Sequence, residues 1–288
     1  MTDSVHILGS FEQALRETRN GLTRMASITE QNLQNAIRGL VSRNADYCNE
    51  AIVEEEEVNQ LERRIDAECF EILMRYNPVA GDLREVIAGM KVANNLERIS
   101  DEARNIARRA RKLLKHPEIQ EVHLIEPVYE KASSIFRDSM RAYAERNTEL
   151  AVSLYTRDLD LDEIHRDVIR ELGKRLDQSS GQVKQILHLI FMVRSLERVG
   201  DLAVNIGEDA VFLINAEDIR HLGAKRAAKR QVAEENSALE DLDGSGRRPA
   251  LVASLGPASS ARSRVGFVIL NPEGVSLKHP QKKTGPGL

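Results

Sequence analysis

The sequence lacks tryptophan, and aromatic residues make up only 4% of its 288 residues. Charged residues reach 30%, yet hydrophobic residues still account for 41%. The core of a β-sandwich would need more aromatic and β-branched side chains than this chain offers. The composition therefore favours long amphipathic helices and an all-α fold.

Long apolar runs and cysteines are also scarce. No run of about 18 apolar residues exists, so the sequence predicts no membrane-spanning segment. Its first residues lack a basic region followed by an apolar stretch, so we expect no secretion signal. Cys48 and Cys69 are the only cysteines. On one continuous helix they would lie about 31 Å apart and could not bond to each other. We therefore expect a reduced, cytoplasmic protein.

Proline is rare in the first three quarters of the chain, where only Pro78, Pro117 and Pro127 occur. Between these breaks, apolar residues recur with the helical period of 3.6 residues. The pattern predicts six helices, near 8–42, 46–76, 81–115, 125–146, 149–177 and 181–215. Their short connections indicate that neighbouring helices are antiparallel.

An internal repeat links the two halves of this helical region. The segment Asn95–Asp101 reads NLERISD, and Ser195–Asp201 reads SLERVGD. Each copy is followed at the same spacing by an Asn-Ile pair that begins at Asn105 or Asn205. A repeat at an offset of about 100 residues predicts two tandem three-helix bundles related by a pseudo-two-fold axis.

The repeat predicts the domain organisation. Repeat one covers about 6–116 and repeat two about 125–218, together forming a helical domain over 1–222. The remaining 223–288 contain 5 of the 8 prolines and 8 of the 17 glycines, which is typical of a flexible extension. The net charge is −9 for the helical domain and +5 for the extension. Such an acidic domain argues against nucleic-acid binding.

Each copy of the repeated motif aligns two carboxylates on one helix face. Glu97 and Asp101 are four residues apart, as are Glu197 and Asp201, and residues at this spacing are neighbours on a helix. The preceding helices supply a second polar row, formed by Glu55 and Asn59 in repeat one and by Asp158 and Asp162 in repeat two. Facing rows of oxygen atoms suit Fe, Mn, Mg or Ca ions, and Zn less well.

The acids continue an apolar stripe that we interpret as core. On the sixth predicted helix, Val183, Leu187 and Ile190 occupy the same arc as the acids that follow them. Burying unpaired carboxylates there is costly. Three arrangements avoid the cost: the stripe reaches solvent, arginines such as Arg98 and Arg198 pair with the acids, or a metal ion binds.

The sequence offers no set of residues for catalysis. No glycine-rich phosphate loop and no nucleophile elbow occur. The Glu-x-x-His pairs of di-iron bundles are absent, and the nearest approach, Asp162 with His165, occurs once. Three hypotheses stay open: a non-enzymatic signalling adaptor, a carboxylate-metal enzyme, and a purely structural helical scaffold.

With this doubled motif, the chain resembles the PhoU family of bacterial regulators of phosphate uptake. Segment Asn77–Arg84, with the sequence NPVAGDLR, is similar to the family's helix entry, and the opening Phe11–Leu15 also fits. The resemblance covers about residues 6–218. It implies two three-helix bundles carrying iron or zinc clusters on acidic E/D-x-x-x-D motifs.

The match to those metal motifs differs between the repeats. The matching pairs are Glu97/Asp101, Glu197/Asp201 and Asp158/Asp162. The pair of Glu55 and Asn59 departs from the motif, because an amide replaces the second acid. Ser100 also stands where repeat two has Gly200. We therefore expect the first-repeat cluster to be weaker or to hold fewer ions.

The resemblance also implies a function. Members act as non-enzymatic cytoplasmic adaptors between the ATPase of the phosphate ABC transporter and a sensor histidine kinase. In that role they negatively regulate phosphate uptake and the phosphate-starvation response. The expected assembly is a homodimer that reaches the membrane only through its partners.

Overall fold

Six α-helices and one short 3-10 helix form the described part of the chain. The structure, a computed structural model, describes residues 2–178, 181–217 and 219. The helices are α1 (Thr2–Val41), α2 (Ala45–Tyr76), α3 (Ala80–Leu113), α4 (Ile125–Ala144), α5 (Thr148–Gln178) and α6 (Val183–Asn215), with the 3-10 helix at Gln120–Leu124. All six predicted helices are confirmed, and the described residues contain no strand. The predicted extension at 223–288 and its boundary lie outside the described residues.

Two details differ from the predicted helices. Helix α1 begins at Thr2 instead of near residue 8, and no proline or glycine in this segment opposes helix formation. The 3-10 helix before α4 was not predicted, since five residues are too few to show a helical period. None of the helices in the described residues contains a stretch long and apolar enough to cross a bilayer.

Local polar residues set the helix boundaries. Asn44 caps α2, because its side-chain oxygen accepts a hydrogen bond from the backbone N–H of Asp46 at 2.8 Å. At the start of α5, Asn147 Oδ1 accepts from the backbone N–H of Leu150 at 2.9 Å. Helix α2 ends at Asn77, which adopts a left-handed conformation with φ of 46° directly before Pro78. These residues explain why the boundaries were predictable.

The three helices of each repeat pack together, and α3 packs against α6 to join the repeats. Most of the apolar faces merge into one large core with fully buried side chains such as Leu22, Ile99 and Phe136, and a second, smaller cluster lies within repeat two. Both cysteines lie in α2 and are buried and unbonded, as expected from their separation. The large core contains residues of both repeats and therefore holds them in a fixed relation.

Contacts between α3 and α6 reveal the internal pseudo-two-fold symmetry. Lys91 Nζ lies 3.2 Å from Asp209 Oδ1, and the guanidinium of Arg109 lies 4.1 Å from the centre of the Phe191 ring. The offset of 100 makes Phe191 the counterpart of Lys91 and Arg109 the counterpart of Asp209. Two equivalent contacts are thus made at opposite ends of an antiparallel helix pair, with different chemistry at each end.

Candidate functional site

The second-repeat cluster lies between α5 and α6. Helix α5 contributes Asp158 and Asp162, and α6 contributes Glu197 and Asp201. Asp158 is half-buried, whereas Asp201 is open to solvent on one side. The structure therefore faces the two predicted acidic rows towards each other.

Burial and mutual repulsion perturb these carboxyl groups. Burial, reinforced by the charges of Asp201, Asp162 and Glu197, raises the pKa of Asp158 to about 7. Partial burial and the charges of Glu197 and Asp162 raise the pKa of Asp201 to about 6. Burial and the neighbouring Asp162 also raise the pKa of Glu197. The repulsion among these carboxylates is therefore only partly compensated by nearby positive charge.

Nearby arginines offset only part of the charge of the second cluster, since Arg194 and Arg198 act to lower the pKa of Glu197 against burial and the charge of Asp162. Within the described residues, no Lys or Arg lies at ion-pair distance from any of the four carboxylates. Arg198, a candidate partner from sequence, instead pairs with Glu102 of α3 at 3.2 Å. Among the described residues no three acidic, His or Cys side chains converge in a metal-binding arrangement. Repulsion keeps like charges apart, but the donor set of four carboxylates fits a hard or borderline cation.

His165, which the sequence analysis named only as a single approach to a di-iron motif, also lies in this neighbourhood. Burial lowers its pKa, while the nearby charges of Asp162 and Asp201 oppose that shift. Its Nε2 atom is buried without a hydrogen-bond partner among the described residues. The spacing of His165 three residues after Asp162 was the available signal, because such residues share a helix face.

An arginine bridges acids of the first-repeat cluster. Glu55 is buried, and Asn59 Nδ2 donates a hydrogen bond to Glu55 Oε1 at 2.7 Å. Arg104 joins α2 and α3, with Nη1 lying 2.7 Å from Glu55 Oε1 and Nη2 lying 2.7 Å from Asp101 Oδ1. Burial and the charge of Asp101 raise the pKa of Glu97. This cluster does not fit a metal ion as it stands, because a guanidinium already lies between the acids of the two helices.

The sequence-based interpretation missed Arg104 and named Arg98 as the candidate partner. Arg98 is exposed and forms no ion pair with a described residue. Arg104 lies three residues after Asp101, a spacing at which opposite charges on a helix attract. Its counterpart in repeat two is Val204, a buried apolar residue. The repeats therefore have acidic residues at corresponding positions, but only repeat one has an arginine at the position of Arg104.

The interpretation of the apolar stripe as core is wrong for the start of α6. Val183 is 37% exposed and Leu187 40% exposed, while Ile190 is only half-buried. The buried face of this segment instead contains Ile186 and Leu189. The acids consequently continue a stripe at the edge of the core, where solvent reaches them from one side.

A pH-dependent stability is expected from Asp158. Its folded pKa of about 7 exceeds the value of 3.8 for an exposed Asp. The associated stabilisation is complete below about pH 4 and is lost as the pH rises through about 7. In chelator-treated protein, Asp158→Asn should therefore raise the melting temperature at pH 8 by about 2–4 °C. At pH 5, thermal melts should show a much smaller gain.

The control is Glu163→Gln on the same helix, since Glu163 is exposed. This variant should melt like the parent protein at both pH values. An equal gain from Asp158→Asn at pH 5 and pH 8 would contradict the assignment of a repelled, partly protonated carboxyl.

Gly200 allows α5 and α6 to approach at the second cluster. A Cβ atom at this position would overlap Leu161 Cδ2 and lie 3.3 Å from Asp158 Oδ1. We expect Gly200→Ala to lower the free energy of unfolding by about 1–3 kcal/mol, measured by urea denaturation, because Leu161 is fully packed. Adding Leu161→Val should recover much of the loss. In repeat one, the smaller Val58 stands at the position of Leu161, and Ser100 stands at the position of Gly200. A double variant as unstable as the single one would refute this explanation.

One end of the protein is basic despite the acidic character of residues 1–222. The end of α3 and the start of α6 expose five cationic side chains: Arg108, Arg111, Lys112, Lys115 and Lys184. None of them forms an ion pair with a described residue. Leu187 and Phe191 are exposed beside them, at 40% and 42%. This basic end, defined by these seven residues, contrasts with the acidic clusters.

Comparisons with known proteins agree with this architecture. The PhoU domain model matches residues 22–110 and 125–210. Phosphate-specific transport system accessory protein PhoU homologs from Pseudomonas putida and Pseudomonas aeruginosa are 34% and 32% identical over 222 residues. These matches cover 77% of this chain and 87% and 92% of those proteins.

Solved structures agree as well. The crystal structure of PhoU from Pseudomonas aeruginosa matches with a TM-score of 0.70 at 30% identity, covering 72% of this chain and all of that one. The phosphate transport system regulatory protein PhoU from Streptococcus pneumoniae matches with a TM-score of 0.66 at 23% identity, which supports the fold alone.

Proposed function

The chain belongs to the PhoU family, and from this membership we propose that it regulates phosphate transport as a cytoplasmic, non-enzymatic adaptor. It would connect the phosphate ABC transporter ATPase with a sensor histidine kinase and restrain phosphate uptake and the starvation response. The names of its relatives, which describe accessory proteins of a phosphate-specific transport system, support the transporter side of this proposal. The kinase and the homodimeric state rest on the resemblance of the sequence.

Metal binding is part of the proposal and is assigned to the second cluster. The observation that supports it is a set of four carboxylates on two helices without an ion-paired cation, in which burial and repulsion raise the pKa of Asp158 to about 7. A bound iron or zinc ion would offset part of the charge of these acids and would connect α5 with α6. The protein's own contribution is to position Asp158 and Asp162 opposite Glu197 and Asp201.

Two surfaces of opposite charge support the adaptor role. The basic end fits an acidic segment of one partner. The rest of residues 1–222 fits a basic segment of another, because residues 1–222 have a net charge of −9 even with the basic end included. The apolar side chains of Leu187 and Phe191 add area that a helical partner would cover. An adaptor needs at least two such surfaces, whereas a purely structural scaffold does not.

The adaptor proposal is tested by capture of its two partners. Purified, zinc-loaded protein should retain both the purified transporter ATPase and the cytoplasmic domain of the kinase on a column. The double charge reversal Lys112→Glu/Lys115→Glu should abolish retention of one partner and leave the other. A matched reversal of two exposed basic residues elsewhere, Arg63→Glu/Arg166→Glu, serves as the control.

If the column retained neither partner, the adaptor proposal would be wrong. Catalytic turnover that follows metal content and is lost in Glu197→Gln would instead support the carboxylate-metal enzyme. Neither partner retention nor stoichiometric metal would favour the structural scaffold. The three hypotheses therefore give different results in the same set of experiments.

A further inference from the structure

We propose that Arg104 is the built-in cation of the first cluster, so that this chain takes up metal in its second repeat alone. The inference rests on the metal-binding part of the proposed function. It explains why two clusters related by an internal repeat differ in charge balance. It also distinguishes the first repeat, whose acids have their own cation, from the second repeat, which binds metal.

The guanidinium of Arg104 lies where a bridging cation would lie. It contacts Glu55 of α2 and Asp101 of α3, each at 2.7 Å, and so connects the same two helices that the acidic rows face across. Arginine side chains keep their positive charge in proteins, so this cation is a permanent part of the cluster. Its planar fork donates to two carboxylates at once, which makes such pairs strong.

Displacing Arg104 with a metal ion would be unfavourable. The side chain of Glu55 is only 7% exposed and that of Arg104 23% exposed, so both partners are largely removed from water. A cation entering this cluster would be repelled by the fixed positive charge of Arg104. Asn59 supplies a hydrogen bond to Glu55 but no negative charge, so this cluster offers three carboxylates where the second offers four.

The second repeat lacks an arginine at the position equivalent to Arg104. Val204 stands at the position equivalent to Arg104 and is 7% exposed, with no charge to offer. Arg198, the arginine of the motif itself, is engaged with Glu102 across the repeat interface. Arginine in place of valine, together with Asn59 in place of an acid, therefore separates a cluster with a built-in cation from one without.

Zinc uptake, measured by equilibrium dialysis and elemental analysis, tests the assignment on the full chain. Glu97→Gln/Asp101→Asn should leave bound zinc unchanged, and Asp158→Asn/Asp201→Asn should remove it. Adding Arg104→Val to the latter variant should restore zinc uptake through the first cluster. Loss of zinc in the first variant, or no uptake by a folded triple variant, would overturn the proposal.

The converse substitution covers the case in which Arg104→Val does not fold. Val204→Arg should abolish zinc uptake by the second cluster, whereas Val204→Met, of similar bulk and without charge, should retain it. Retention of zinc by folded Val204→Arg protein would overturn the proposal. If the parent protein binds no zinc at all, the metal-binding part of the proposed function fails, while uptake gained on removal of Arg104 still decides the role of that residue.

Discussion

Replacing Arg104 with methionine is expected to lower the free energy of unfolding by about 3–5 kcal/mol at neutral pH. The substitution leaves Glu55 buried and without its cation, and breaking a buried ion pair on one side is far more costly than losing an exposed one. Chemical denaturation at pH 7 measures the effect.

Two further variants separate charge from packing. Adding Glu55→Gln to Arg104→Met removes the uncompensated charge and should recover a large part of the lost stability, since neutral replacement of both partners is commonly tolerated. Arg98→Met on the same helix is the control, because Arg98 is exposed and should change stability by less than about 0.5 kcal/mol. An equally large loss in the double variant would show that Arg104 acts through packing.

Asp201→Ala is expected to weaken metal binding by at least about 100-fold, whereas Asp101→Ala should leave it nearly unchanged. Removing residues that merely orient metal ligands commonly costs 10- to 100-fold in affinity, so losing a direct ligand should cost at least the upper value. Asp101 is instead paired with Arg104 at 2.7 Å and belongs to a cluster that already contains a cation. Calorimetric titration with zinc at pH 7.5 measures both variants.

Glu163→Ala controls for the general loss of a negative charge from the second repeat, since this side chain is exposed on α5. Its affinity for zinc should stay within a few-fold of the parent protein. Equal weakening by Asp201→Ala and Asp101→Ala would mean that both repeats contribute, and the distinction based on Asn59 and Arg104 would be wrong. Affinity should also fall with decreasing pH, because protons compete with the ion for Asp158.

The helices and their pairing were accessible from the sequence because they depend on short-range regularities. Apolar periodicity and breaks such as Asn77-Pro78 set the helix boundaries, and these signals lie within a few residues of the features they determine. The offset of 100 residues then implied the doubled architecture. The acidic rows were predictable for the same reason, since Glu197 and Asp201 share a helix face at any tertiary arrangement.

What the sequence determined about this protein is thus the all-α doubled architecture and the acids that face each other in each repeat. Which charge neutralises which acid was decided by the tertiary structure alone. An arginine side chain is long and flexible enough to reach several helices, so its position in the sequence does not specify its partner. Arg104 reaches Glu55 on a neighbouring helix 49 positions earlier in the chain, and Arg198 turns to Glu102 in the other repeat. Such choices depend on distances between helices, which exist only once the two repeats have packed around their common core.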